Sequence, residues 1–114
     1  MRKRIFLDIL VIGILLISGC IEGERKVTAP QESAKDRAIS ACKQECNARL
    51  IAGEDFTKGP CLSNEIIEDW VCDVAHDPRQ DVDNMPENQC SAFRERKAHH
   101  FVELDTECNL IKAW

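Results

Sequence analysis

Apolar positions are unevenly spread along the 114-residue chain. Ile5 to Ile17 is almost continuously apolar, broken only by Asp8 and Gly13. Residues 21–33 are polar, carry Gly23 and Pro30, and show no hydrophobic period; they read as a flexible tether. A helical period begins after Ser33. Ala34, Ala38, Ala41/Cys42, Cys46 and Leu50 recur at three- and four-residue spacing, while Lys35, Asp36, Lys43, Glu45 and Arg49 take other faces. This predicts a helix over 34–51, capped by Ser33 with Asp36 in the first turn and stopped by Gly53.

Beyond the helix the pattern shortens. Residues 53–64 include Gly53, Gly59, Pro60, Ser63 and Asn64 and read as a loop, with Ile66 and Ile67 opening a short helical turn. Trp70 to Ala75 reads as a strand that sends Trp70, Cys72 and Val74 to one face. Residues 76–91 are polar, hold Pro78 and Pro86, and are expected to form a long loop. His100 to Leu104 is a second strand, with His100, Val102 and Leu104 on a common face. The expected fold class is α+β: a small disulfide-rich domain in which one N-terminal helix packs on a short antiparallel sheet.

The first twenty residues bear on compartment. Arg2, Lys3 and Arg4 precede the apolar stretch, and Ser18, Gly19 and Cys20 follow it. This is the layout of a secretory signal. The thirteen residues from Ile5 to Ile17 would rise roughly 20 Å as a helix, short of the ~30 Å hydrocarbon core. Ile17-Ser18-Gly19-Cys20 resembles the lipobox of bacterial and archaeal prolipoproteins, with an aliphatic residue three places before the Cys and two small residues between. The resemblance implies that a diacylglyceryl group is joined to the Cys20 sulfur and that a lipoprotein signal peptidase cuts just before it. Residues 1–19 are then signal peptide, 20–33 the lipidated N-terminus and tether, and 34–114 the domain. Two acyl chains suffice for stable anchoring, each buried methylene contributing about 0.8 kcal/mol. The expected location is the cell membrane, on its extracytoplasmic side.

Charge narrows the partners. Removing residues 1–19 takes away three basic residues and Asp8, leaving 12 Lys+Arg against 19 Asp+Glu, a net of −7. A nucleic-acid binder is expected to carry the opposite sign, so no nucleic acid is expected. Beside the membrane, reached through lipid on Cys20, the expected partner is an envelope protein or a cationic ligand.

Six cysteines remain once Cys20 is assigned to lipid: Cys42, Cys46, Cys61, Cys72, Cys90 and Cys108, spaced C-x3-C-x14-C-x10-C-x17-C-x17-C. An even count in an exported domain predicts three disulfides. The thin core agrees, since residues 34–114 hold 19 Ile, Leu, Val, Phe, Trp and Met among 81 residues, too few for comfortable stability alone. Cys42 and Cys46 stand at i and i+4 on the helix, where a mutual bridge is disfavoured. Excluding that bridge leaves most of the possible connectivities open, and among them the expected one joins Cys46 with Cys61, Cys42 with Cys108, and Cys72 with Cys90.

Candidate chemistry is sparse. A metal site would draw on His76, His99 and His100 together with cysteines, but close pairs such as C-x2-C or H-x3-H are missing; no metal and no cofactor are expected. Asp77, Asp81, Asp83 and Glu87 cluster in the 76–91 segment without the glycine and spacing of a calcium loop. A long loop in so small a domain is uncommon unless functional, so Asp77, Asp81 and Asp83 are expected to face a partner. No H-E-x-x-H or G-x-S-x-G motif occurs, and no catalytic residue is assigned. Trp70 is expected in the core, and Trp114 is expected to pack back on the domain. The leading reading is a lipid-anchored binding or structural domain rather than an enzyme. The alternatives are a thiol-redox or metal-handling lipoprotein, which requires free thiols, and a small hydrolase.

Overall fold

The computed structural model describes residues 31–114. The signal segment, Cys20 and most of the tether lie outside the described residues. Helix α1 spans Ala34–Ile51. Ser33 caps it by accepting a hydrogen bond from the Asp36 N–H at 3.1 Å, and Asp36 and Arg49 sit at the ends that suit their charges. The chain leaves the helix through Gly53 at φ 90°. Its buried face consists of Ala38, Cys42 and Cys46, one residue per turn. These side chains are small, so the helix backbone lies close to the sheet, with Ile39 and Leu50 closing the sides.

The sheet has four strands in the order β1 (Cys61–Ile67), β2 (Trp70–Val74), β3 (His100–Leu104) and β4 (Leu110–Ala113). β1 and β2 form an antiparallel hairpin around Glu68-Asp69, and β3 and β4 form a second. β2 and β3 run parallel, with Trp70 opposite His100, Cys72 opposite Val102 and Val74 opposite Leu104. The sheet is therefore mixed and not wholly antiparallel as expected. A parallel pair needs a long crossover connection. Residues 75–99 provide it, carrying two 3-10 turns, Asp81–Asn84 and Pro86–Asn88, and a single helical turn α2, Ser91–Arg94.

Residues 61–67 are strand β1 rather than a loop followed by a helical turn. Register shifts between Cys61 and Ser63 and between Ser63 and Ile67 interrupt its pairing with β2. Those irregularities break the alternation that would have marked a strand in the sequence.

Parallel register puts the predicted faces of β2 and β3 on one side. Trp70, Cys72, Val74, Val102 and Leu104 join Ala38, Cys42, Cys46, Phe56, Leu62 and Cys108 in the core beneath α1. The opposite face carries a second, smaller cluster under the crossover: Val71, Cys90 and Ala98, flanked by Cys61, Ala92, Phe93 and Phe101. Three disulfides join these layers: Cys42–Cys72, Cys46–Cys108 and Cys61–Cys90. The existence of three bridges agrees with the sequence reading, but each expected pairing is replaced. Side-chain alternation is the reason. Cys72 shares the helix-facing side of β2 with Trp70 and Val74, so its partner is on α1, while Cys90 meets Cys61 on the far side. Trp70 lies in the core. Trp114 exchanges backbone hydrogen bonds with Phe101, but its side chain remains 68% exposed.

Candidate functional site

The crossover positions two charged constellations differently from the sequence reading. Asp83, expected to face a partner, is 2% exposed. Its carboxylate accepts from the backbone N–H groups of His76 (3.0 Å) and Gln80 (2.8 Å), and its Oδ1 lies 3.0 Å from His76 Nδ1. Burial would raise the Asp83 pKa, but these two N–H groups and the imidazole outweigh it and hold the carboxyl below its ordinary value. Asp83 thus ties the crossover to the end of β2 and is an internal anchor. Asp77 and Asp81 are exposed on the same segment.

The histidines are separated. His76 belongs to the Asp83 anchor. His99 donates its backbone N–H to Asp69 Oδ1 at 3.0 Å and places Nδ1 2.7 Å from the same oxygen. His100 stacks on Trp70 with ring centroids 4.6 Å apart. Among the described residues no three His, Cys, Asp or Glu side chains are placed to hold a metal ion, and all six cysteines there are in disulfides. Asp69, His99, His100 and Trp70 line an open groove of about 890 Å³. Asp69 is already engaged there: its carboxylate binds His99 and its carbonyl accepts from the His100 N–H at 3.1 Å.

A second concavity, of about 260 Å³, opens on the sheet face away from α1. The same alternation that turns Cys72 toward the helix turns its neighbours the other way. Val71 and Asp73 of β2, Phe101 and Glu103 of β3 and Lys112 of β4 line it, with Phe93 of α2 and Arg79 and Gln89 of the crossover forming its rim. Asp73, Glu103 and Lys112 are successive partners across three strands.

Their environments differ. Glu103 is paired with Arg79 at 2.7 Å, its side chain 14% exposed. Arg79 is held in turn by Asn84 Oδ1 at 2.8 Å and the Asp83 carbonyl at 3.2 Å, so the Asp83 anchor also braces this site. Lys112 Nζ lies 5.8 Å from the Phe101 centroid. Phe93 and Phe101 meet edge to face at 5.2 Å. Asp73 has no such partner: its Oδ1 is buried and, among the described residues, is the one buried side-chain nitrogen or oxygen without a hydrogen bond. Burial, and next the neighbouring Glu103 carboxylate, push its pKa up to about 8; Arg79 and the Val74 N–H oppose the rise and Asp83 adds to it. At neutral pH most Asp73 carboxyls therefore carry a proton.

Sequence reasoning missed Asp73 and Glu103, although a signal was present. Each is a carboxylate inside an apolar strand, Trp-Val-Cys-Asp-Val and His-Phe-Val-Glu-Leu, where the opposite face is itself covered. No helix among the described residues is long and apolar enough to cross a membrane. Comparison with protein-family models, curated proteins and solved structures finds no match to this chain.

Proposed function

We propose that the protein is a lipid-anchored binding module of the extracytoplasmic membrane face, held through Cys20, and that its ligand seat is the cleft between the sheet and the crossover. The observation that carries the binding role is the buried Asp73 Oδ1 at the cleft wall with no partner. An unsatisfied buried oxygen costs about 1–3 kcal/mol, and a ligand that supplied the missing hydrogen bond would recover part of that cost. Apolar walls with a few convergent polar groups are the usual make-up of a small-molecule seat.

Anchoring and export rest on the Ile17-Ser18-Gly19-Cys20 motif behind a basic and apolar leader. The three disulfides support it, because such bridges persist in oxidising compartments.

Intact-mass measurement on protein extracted from membranes tests the anchor. The expected species begins at Cys20, carries diacylglycerol and lacks six hydrogens. Cys20→Ser should yield a released domain or an uncleaved precursor. A variant cleaved at the same bond and still membrane-bound would overturn the anchor. For the cleft, a small-fragment screen read by NMR should move signals of Val71, Phe93, Phe101 and Lys112; a screen without any response there would remove the binding role.

A further inference from the structure

The cleft has a chemical preference, and this inference rests on the binding role just given to it. We infer that the seat beside Asp73 takes a primary ammonium group, presented by a small amine or by a lysine side chain of a partner.

Three features point to a cation. The atom without a partner is an oxygen, Asp73 Oδ1, and once the carboxyl gives up its proton it offers acceptors only. The nearest charge to Asp73 is negative. Glu103 brings it, and the opposing Arg79 guanidinium is itself engaged by Glu103, Asn84 and the Asp83 carbonyl. Lys112 is the other cation of the cleft and is exposed at its edge. Finally, the aromatic wall suits an ammonium, whose charge is attracted to a ring face; the chain's own Lys112 already places one beside Phe101.

An inorganic cation fits less well. Calcium and magnesium want six or more oxygens, and this cleft offers Asp73, Glu103 and the Gln89 amide. An ammonium needs few acceptors and leaves its alkyl chain for Phe93, Phe101 and Val71. A cavity of about 260 Å³ accommodates one such chain rather than a drug-sized molecule.

Binding would exchange one cation for another. In the empty protein Asp73 keeps a proton because burial and Glu103 make ionisation costly. The arriving ammonium meets that cost, and Asp73 releases its proton to solvent. Net charge in the cleft is the same before and after. Affinity should therefore climb about tenfold per pH unit below the Asp73 pKa and level off above it.

The test is calorimetry on full-length lipidated protein in detergent micelles. The titrants are n-butylammonium, N-acetyl-lysine N-methylamide, butyramide and butyrate. Each is run at pH 6 and pH 9 in two buffers of different ionisation heat. The expected result is binding of the ammonium compounds alone, with about one proton released at pH 6 and almost none at pH 9. Asp73→Asn should weaken binding at pH 9 at least tenfold and abolish the proton release. Lys112→Gln, at an exposed position of the cleft's edge, should strengthen binding a few-fold by removing like charge. Butylammonium binding without the blocked lysine identifies a free amine as the guest; lysine binding as well or better identifies a protein side chain. Butyramide or butyrate binding in the cleft in place of the ammonium compounds overturns the cation and leaves the binding role standing. Ammonium binding that Asp73→Asn leaves unaltered, or that Lys112→Gln weakens, also overturns the inference.

Discussion

Gly59 shows how much of this domain hangs on single atoms. It sits at φ 64°, and a Cβ there would collide with Asp83 Oδ1 and lie 3.1 Å from the Val74 carbonyl. The carboxylate cannot step aside, because two backbone N–H groups and His76 hold it. Gly59→Ala should therefore cost about 2 kcal/mol or more, combining a left-handed backbone with a displaced buried charge. Urea denaturation of the variant against the parent checks this, with an unchanged midpoint as the contrary result. The roles of Gly59 and Asp83 were hidden in the sequence for the same reason. A glycine in a polar stretch and an aspartate in an acidic one look like solvated loop until the fold brings Asp83 back to residue 59, far from it along the chain.

At the level of elements, what could be read was whatever has a local period. Helix α1, β2 and β3 stand where spacing put them, because apolar positions at helical or alternating intervals already state which face is buried. β1 was unreadable because its pairing is broken twice and its exposed Asn64 and Glu65 dilute the pattern. The parallel register was unreadable because it is a relation between strands separated by the whole crossover. The antiparallel expectation assumed that strands near in sequence pair directly, and the disulfide assignment had no strand faces to go by, whereas the bridges follow the two faces of β2. Helix α1 depends on those bridges unusually strongly, since two of its three buried residues are the cysteines themselves. Cys46–Cys108 spans 62 residues against 30 and 29 for the others, which gives about 4.3 against about 3.6 kcal/mol in the loop-entropy account. Replacing Cys46 and Cys108 together by Ala should therefore destabilise the domain most among the three paired deletions. Thermal unfolding of the three double variants ranks them, and a smaller loss for this pair than for Cys61–Cys90 would contradict the account.

For the whole molecule, carboxylates shifted from their ordinary values set a pH profile. Asp83 and Asp105 are held below the ordinary aspartate range by backbone N–H groups, in spite of burial. Their contribution is present above the unfolded pKa of about 4 and fades as pH falls through their folded values. Asp73 acts with the opposite sign. Between about pH 4 and its folded value of about 8 the native state holds a proton that the unfolded chain has lost. Stability therefore declines as pH rises across that window, by up to about 1.4 kcal/mol per unit. The optimum should lie on the acid side of neutrality. Asp73→Asn, which does not titrate, should match the parent only near about pH 3, below both values, and be increasingly the more stable protein as pH rises toward about 8.5. Melting temperatures of the two across this range test the point; parallel profiles would refute it.

The connectivity of the bridges carries a consequence for biogenesis. Numbered in order of appearance after Cys20, the six cysteines of the domain pair first with fourth, second with sixth and third with fifth. None is joined to the next to emerge. A chain threaded through a membrane from its N-terminus and oxidised as it came out would link Cys42 to Cys46, Cys61 to Cys72 and Cys90 to Cys108, wrong at every position. The last cysteine of the sequence is needed to secure α1. If the domain is exported as proposed, a chain oxidised in that order would need thiol–disulfide exchange, through mixed intermediates that reopen early errors, to reach the native pairing. A host that supplies oxidant without isomerase would accumulate scrambled, fully oxidised protein whose mass is indistinguishable from the native form.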